Sequence, residues 1–551
     1  MMKVRECETD VLVIGGSAAG MRAAIEATKK GRKVLVANKG ISGRSGNTIM
    51  VTGGYAAAFE GQGDHPEFHF ADSLRGGEEL NDIELLKTLV YQAPRRLNDL
   101  VDFGVELAAD ASGRPLTRKT PGHSLPRTYW GKTHIGLQIT SSLFKVASGL
   151  GVTCLDHMYM SDLLLSNGRV VGALGISMKD MELVVVRAKA TVLATGGAGR
   201  VYSNTNNVRG IVGDGYSMAY RAGAEMANME FVLFHPTCPV NPKLSPLMLP
   251  SFMQLVSKGA ILRNRDGEDI MRKHTGQSTI GSRDLCSICL TTEIHGGRGV
   301  QGGVYLDATG LGPNLIERDF AFPFQSLMRA GVDPRKQMFV VGPSTHAFIG
   351  GVVVTPLCET TVPGLFAAGE ATTGTHGAHE LPGDHLADTQ VFGAIAGEQA
   401  AEWAAHVENE PFAQDTIQKH LEEIKAIEGK PVHDPATTIQ DVKREMWVNV
   451  GIIRNPQGMQ SAREKIDHYR RTMKDVKGEK GADILKVLEL RSILDVAEMI
   501  VESALLREES RGSHYREDFP KKDNSRWLGS IVTTLGENGK CVSTFRPLRK
   551  G

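Results

Sequence analysis

Between positions 10 and 20 the chain reads DVLVIGGSAAG, an apolar run that stops at two glycines and continues in small residues. That spacing could hold a dinucleotide pyrophosphate, because backbone N–H groups at a helix N-terminus must reach the phosphates with no side chain between. Gly15 makes the turn beside Gly16, Ser17 and its neighbour Ala18 keep the approach small, and Gly20 lets helix and strand pack closely. The fingerprint departs from its pattern twice. Ser17 stands where a middle glycine is expected, and the ribose-binding acid expected about 20 residues on is missing, since the second apolar run ends in Asn38 and Lys39. Those two residues count as cofactor-side candidates in its place. A turn of small residues also occurs as a plain strand–helix connection, so the rest of the chain must decide.

The elements that would position this turn are a strand before it, a helix over 21–30 and a second strand at 34–36. Strand-then-glycine segments return at 190–199 (ATVLATGGAG) and 364–370 (GLFAAGE). Their spacing suggests one nucleotide-binding domain interrupted by another. We expect an α/β fold with a first part at 1–230, an inserted domain at 231–350, a second part at 351–410 and a C-terminal domain at 411–551. Three apolar runs between 152 and 192, with Asn167-Gly168 between two of them, predict a β-meander. Beyond Pro411 the amphipathic segments 418–427, 439–448, 459–473 and 484–505 predict helices, and the last stretch reads as polar and irregular.

At 551 residues, with 41% hydrophobic residues and 62 glycines, the chain is long enough for two to four domains. Lysine plus arginine and aspartate plus glutamate both number 63, so the charge balance points neither to nucleic acid nor to an acidic membrane surface. The polar start lacks an apolar signal region, and no run approaches the roughly 18 apolar residues of a membrane helix; the expectation is a soluble, cytoplasmic protein. Seven cysteines are scattered without a disulfide framework. Cys286 and Cys289 form a lone CxxC, which reads as two part-buried core cysteines, with a redox or metal role as the alternative.

Many segments, in order and over nearly the whole chain, resemble the flavoprotein subunits of succinate dehydrogenase and fumarate reductase and the related L-aspartate oxidase. They are the turn at 15–20, Arg44-Ser45-Gly46-Asn47 leading to Gly53-Gly54, Gly196-Gly197-Ala198-Gly199, Gly213-Asp214-Gly215, Phe234-His235-Pro236-Thr237, Arg283-Asp284, Thr345-His346, Ala368-Gly369-Glu370 and the arginine-rich tail at 510–520. The resemblance implies FAD, a Rossmann-like FAD-binding domain, an inserted α+β capping domain and a C-terminal helical domain. It also implies hydride transfer between flavin N5 and a small organic substrate, with electrons exchanged with a separate iron–sulfur subunit, since the chain has no ferredoxin-type cysteine cluster of its own. Arg283 matches the proton-transferring arginine, and His235 and His346 match the substrate-binding histidines, with Thr237 beside them; the plainer alternative is a surface Arg-Asp pair and two loop histidines. Ser45, Gly46, Gly53, Gly54, Gly196, Gly197 and Leu386 fall in cofactor motifs. Asp214 and Glu370 suit cofactor hydroxyl or backbone groups, or simply cap helices. Arg44-Ser45 is followed by Gly46 rather than the histidine of covalently flavinylated members, which implies non-covalent FAD.

The departures bear on the substrate. Where the dicarboxylate enzymes have Gly-Ala-Asn-Arg-Leu, this chain has Gly377-Ala378-His379-Glu380-Leu381. Glu380 replaces the cation that would clamp a carboxylate, and a buried uncompensated charge there is expensive. The acidic and basic residues that relay protons in the family are replaced by Phe252, Met253 and the run Val256-Ser257-Lys258. Fumarate and succinate are therefore not the expected substrates. His379 and His385 flank Glu380 and Asp384, where a metal could be imagined but a polar network is the more ordinary reading. Two further readings stay open: an adenylylsulfate-reductase-like flavoprotein, and a flavin electron-transfer module without substrate chemistry.

Overall fold

The computed structural model describes residues 2–240, 252–279, 281–410 and 414–548. Its first half is laid down as β1 (Val4–Ile14), α1 (Ala18–Lys29), β2 (Val34–Asn38), β3 (Thr153–Asp156), β4 (Met158–Ser166), β5 (Arg169–Ser177), β6 (Leu183–Leu193) and α2 (Asp214–Arg221). An insertion follows, with β7 (Val232–Pro239), β8 (Ile261–Arg263), α3 (Arg283–Glu293), β9 (Val304–Asp307) and β10 (Phe339–Phe348). The chain then returns through β11 (Leu365–Ala367) and α4 (Asp384–His406) before α5 (Gly481–Leu506) and the closing pair β12 (Gly529–Leu535) and β13 (Cys541–Pro547).

The central sheet runs β3-β2-β1-β6-β5-β4, with β11 also on β6. β1 pairs in parallel with both β2 and β6, and their ends place the turns after residues 14 and 193 side by side. Parallel strands buried on both faces need continuous apolar sequence, which is why Val11, Leu12 and Val13 are all fully buried. One face is covered by α1, α4 and the helices Ile83–Asp102 and Ile135–Gly149, and the other by α2, α5 and the helix Pro435–Asn449. The meander forms as expected, with Asn167 and Gly168 both at positive φ (50° and 75°), the geometry of a tight hairpin turn.

The insertion has its own antiparallel sheet, β7-β10-β9-β8, and its own core around Phe252, Leu262, Cys286, Leu290 and Leu306. This is a Rossmann-like α/β fold carrying an inserted α+β domain and a C-terminal helical domain. The C-terminal helices occupy Gln414–Ala426, Pro435–Asn449, Pro456–Thr472 and Gly481–Leu506. The tail corrects one expectation. Rather than irregular, β12 and β13 form a hairpin along Met226–Ala227; β13 is half exposed throughout, so its alternation carries little apolar signal. No helix among the described residues is long and apolar enough to cross a membrane.

Candidate functional site

At the tip of β1, Gly15 has φ 115°, and a Cβ there would lie 2.2 Å from the Ala194 carbonyl oxygen. A Cβ on Gly20 would lie 1.9 Å from the Gly15 carbonyl oxygen, so both positions require glycine. Asn38 does not reach outward. Its Oδ1 accepts from the Gly16 N–H at 3.2 Å and its Nδ2 donates to Ser45 Oγ at 3.1 Å, so it braces the turn. Lys39 is held by Asp214 (2.8 Å) and by Glu489 of α5 (2.7 Å), 4.8 Å above the Tyr159 ring, and the Tyr159 hydroxyl donates to Asp214. Burial works against the ammonium, yet Asp214 and Glu489 raise its pKa. The N-cap hydroxyl of Ser17 and the hydroxyl of Thr195 are buried without a hydrogen-bond partner, the kind of group that a cofactor cradle leaves open. Glu370 accepts from the Phe348 N–H at 3.1 Å and lies where a Cβ on Gly197 would be, 2.5 Å from its Oε1. Burial pushes its carboxyl up to about 7. Arg118 donates to the Gly53 carbonyl and stacks on Trp130; Gly46 and Gly54 have positive φ, and Leu386 is buried in α4. The backbone, the open hydroxyls and the acceptor Glu370 fit FAD.

The second half of the site forms where the insertion meets the loop before α4. β7 carries His235 and Thr237 and β10 carries His346, in antiparallel register. The two imidazoles meet edge to face, 5.5 Å between centroids. The Thr237 N–H donates to His235 Nδ1 (3.4 Å) and the Asn206 amide sits 3.1 Å from His346 Nδ1, leaving each Nε2 for other work. α3 starts at Arg283, capped by Ser282, and Ser287 ties it to β7 through the Phe234 carbonyl. Arg283 Nη2 donates to Glu380 Oε2 (2.7 Å) and to the Glu380 carbonyl (2.5 Å). The neighbouring Asp284 Oδ2 lies 2.5 Å from His379 Nδ1. Two adjacent residues of the insertion thus pair with two adjacent residues of the FAD-binding domain. The charge at Glu380 is buried, 5% exposed, and it is compensated.

Around this clasp, His376 Nε2 is 3.3 Å from Asp388 Oδ2 and its ring meets His385 at 4.3 Å. Asp384 accepts from Ser73 and pairs with His69, both at 2.8 Å. Burial opposes ionisation of Glu380, but Arg283, His385 and His376 outweigh it and hold the carboxyl at about 2. Burial and Arg283 depress His346 to about 4, and burial, His346 and Arg283 take His235 well below its usual range. His385 falls to about 4 through burial and His376, whereas Asp388 raises His376 against its burial. Among the described residues no group of three metal-ligating side chains forms a metal site, and the polar network is what the loop builds. Cys286 is fully buried in the core of the insertion, where burial pushes its thiol up, and Cys289 is pushed up to about 11; neither is a reactive thiolate. Sequence reasoning does not single out His69, His376 or Asp388, because their partnerships form only when the loop before α4 folds onto its neighbours.

Comparison with known proteins settles the family. An FAD binding domain model matches residues 10–386, and a fumarate reductase flavoprotein C-terminal model matches 439–550. The chain belongs to the fumarate reductase and succinate dehydrogenase flavoprotein family. It is 39% identical over 531 residues to an uncharacterized FAD-dependent oxidoreductase of Methanocaldococcus jannaschii, covering 95% of this chain and 96% of that one. It is 37% identical to a fumarate reductase (CoM/CoB) chain of Methanothermobacter marburgensis, covering 95% and 97%. An E. coli quinol fumarate reductase structure superposes with a TM-score of 0.91 at 29% identity, covering 100% of this chain and 98% of the other. This family flavoprotein is an FAD-dependent oxidoreductase.

Proposed function

We propose that this flavoprotein adds or removes hydrogen across an activated C–C bond of a small organic substrate other than fumarate or succinate. The observation that carries this reading is the Arg283–Glu380 pair. The position whose cation clamps a carboxylate in the dicarboxylate enzymes is an anion here, and it occupies one nitrogen of the arginine expected to move the proton. Bound FAD, held non-covalently, would supply or accept the hydride. Arg283 gives its proton to the other carbon in reduction, through a nitrogen that Glu380 leaves free; oxidation is the reverse step and starts from the neutral guanidine, which takes the proton. Glu380 orients the guanidinium through two hydrogen bonds from its Nη2, and a guanidinium can act as an acid only where charges are shielded from water. His235 and His346 hold the substrate through neutral imidazole Nε2 groups.

Residues 1–230 and 351–410 form the FAD-binding part in this reading, 231–350 the capping domain and 411–551 the C-terminal domain. The electron partner is a separate iron–sulfur protein, which the subunit status of the relatives supports, and the compartment is the cytoplasm. The test is anaerobic reoxidation of the dithionite-reduced flavoprotein, read in the flavin absorbance, by fumarate and by a panel of enoate esters, enamides and enones. Reoxidation by a panel member but not by fumarate, lost in Arg283→Ala with FAD retained, is the expected result. Rapid reoxidation by fumarate overturns the substrate reading, and inertness toward the whole panel overturns the reaction.

A further inference from the structure

The charged groups that act on His235 and His346 come from two elements: Arg283 from α3, and Glu380 and His385 from residues 376–388. Beside them on the same two elements stand Asp284, His376, His379, Asp384 and Asp388. Among these described residues each basic side chain that meets an acid is paired with it: Arg283 with Glu380 at 2.7 Å, His379 with Asp284 at 2.5 Å and His376 with Asp388 at 3.3 Å. Asp384 has His69. Among these described residues no lysine or arginine is left unpaired for a substrate anion. The two imidazoles that face the substrate carry no charge either, since burial and Arg283 keep His235 and His346 neutral. A carboxylate entering here would lose its hydration and meet Glu380 in a site of low dielectric, where like charges are costly. A carbonyl oxygen would instead accept a hydrogen bond from a neutral imidazole N–H without adding charge. His235 is set up for this, because its Nδ1 accepts from the Thr237 N–H and its proton therefore resides on Nε2.

We propose that the substrate presents a neutral carbonyl group, of the ester, amide, thioester or ketone kind, to His235 and His346, and that the Arg283–Glu380 and Asp284–His379 pairs exclude dicarboxylates. This deepens the proposed function and rests on the placement of the substrate at Arg283.

The experiment uses probes of one shape and different charge. Succinate, succinamate and succinamide are titrated into the oxidised holoprotein, followed by calorimetry and by perturbation of the flavin spectrum. The expected order is succinamide tightest and succinate weakest, with an end-to-end difference of at least about tenfold in Kd. In Glu380→Gln the difference narrows to about threefold or less, and in Glu380→Arg the order inverts. The wild-type order needs no variant to fold, and the flavin spectrum reports whether each variant keeps its cofactor. Succinate binding as tightly as succinamide in the wild type overturns the proposal, and so does the absence of binding by all three. This measurement is independent of turnover. The charge order with no reoxidation by any alkene removes the reaction and keeps the site, whereas reoxidation by an ester with a reversed charge order does the opposite.

Discussion

Replacing Glu380 with glutamine keeps the shape of the clasp and removes its charge, which makes the stabilising effect of the pair measurable. The carboxyl is held at about 2 against an ordinary 4.5, a depression equivalent to roughly 3 kcal/mol. Leaving the partner charge buried and unpaired costs about 3–5 kcal/mol in comparable cases, so the two lines of reasoning agree. Because the folded-state value is lowered, the contribution is fully present above pH 4.5 and is lost as pH falls toward 2. For a cooperative unit of about 150–250 residues the difference is roughly 6–12 °C in Tm. The assay is thermal unfolding of wild type and Glu380→Gln between pH 8 and pH 3, read by circular dichroism and by release of flavin fluorescence. A constant gap from pH 8 to pH 5 that shrinks below about pH 4.5 is expected. A gap that closes between pH 8 and pH 5.5 would mean that the carboxyl titrates near neutrality, and the buried pairing with Arg283 would then be wrong.

Other perturbations test other parts of the structure. Gly15→Ala places a methyl 2.2 Å from the Ala194 carbonyl oxygen at φ 115°, so the purified variant should carry little flavin, measured as the 450/280 nm absorbance ratio; a wild-type ratio refutes the close approach. Glu370 is raised to about 7, so its ionisation opposes folding: the apoprotein should lose roughly 3 kcal/mol relative to Glu370→Gln as pH rises from about 4.5 to 7.5, and parallel denaturation profiles over that range would contradict it. His69→Ala leaves the buried Asp384 with the Ser73 hydrogen bond and the more distant His123 and His376, and a loss of about 3 kcal/mol in urea unfolding is expected. A midpoint unchanged from wild type would show that His69 does not compensate that charge.

What could be read from sequence was what local geometry dictates. The turn at residues 15–20, the Asn167–Gly168 hairpin and the four C-terminal helices each depend on near neighbours, and each appears where its pattern lies. The closing hairpin escaped because β13 is exposed on alternate residues and only part-buried between them. Arg283, His235 and His346 were legible as motif positions. Their partners were not, since Arg283 and Glu380 are 97 residues apart and His69 and Asp384 are 315 apart. Asn38 and Lys39 show the same limit. Their position was visible, but the bracing of Gly16 by Asn38 and the bridging of Asp214 and Glu489 by Lys39 exist only after the sheet and α5 have assembled.

The paired arrangement of this site follows from the cost of burial. Glu380 alone, fully desolvated, would neutralise itself or destabilise the loop. It remains ionised because Arg283 reaches it, and Arg283 reaches it because Ser282 caps α3 and Ser287 fastens that helix to β7. The adjacent pair Asp284–His379 puts the acidic residue on α3 and the basic one on the loop, one residue away on both segments. An acidic and a basic residue from each side thus meet across the same junction. Under the proposed reading, a site paired in this way has no spare charge to exchange with a charged ligand, so changing one member is expected to alter both what it binds and the contact between the insertion and the loop before α4.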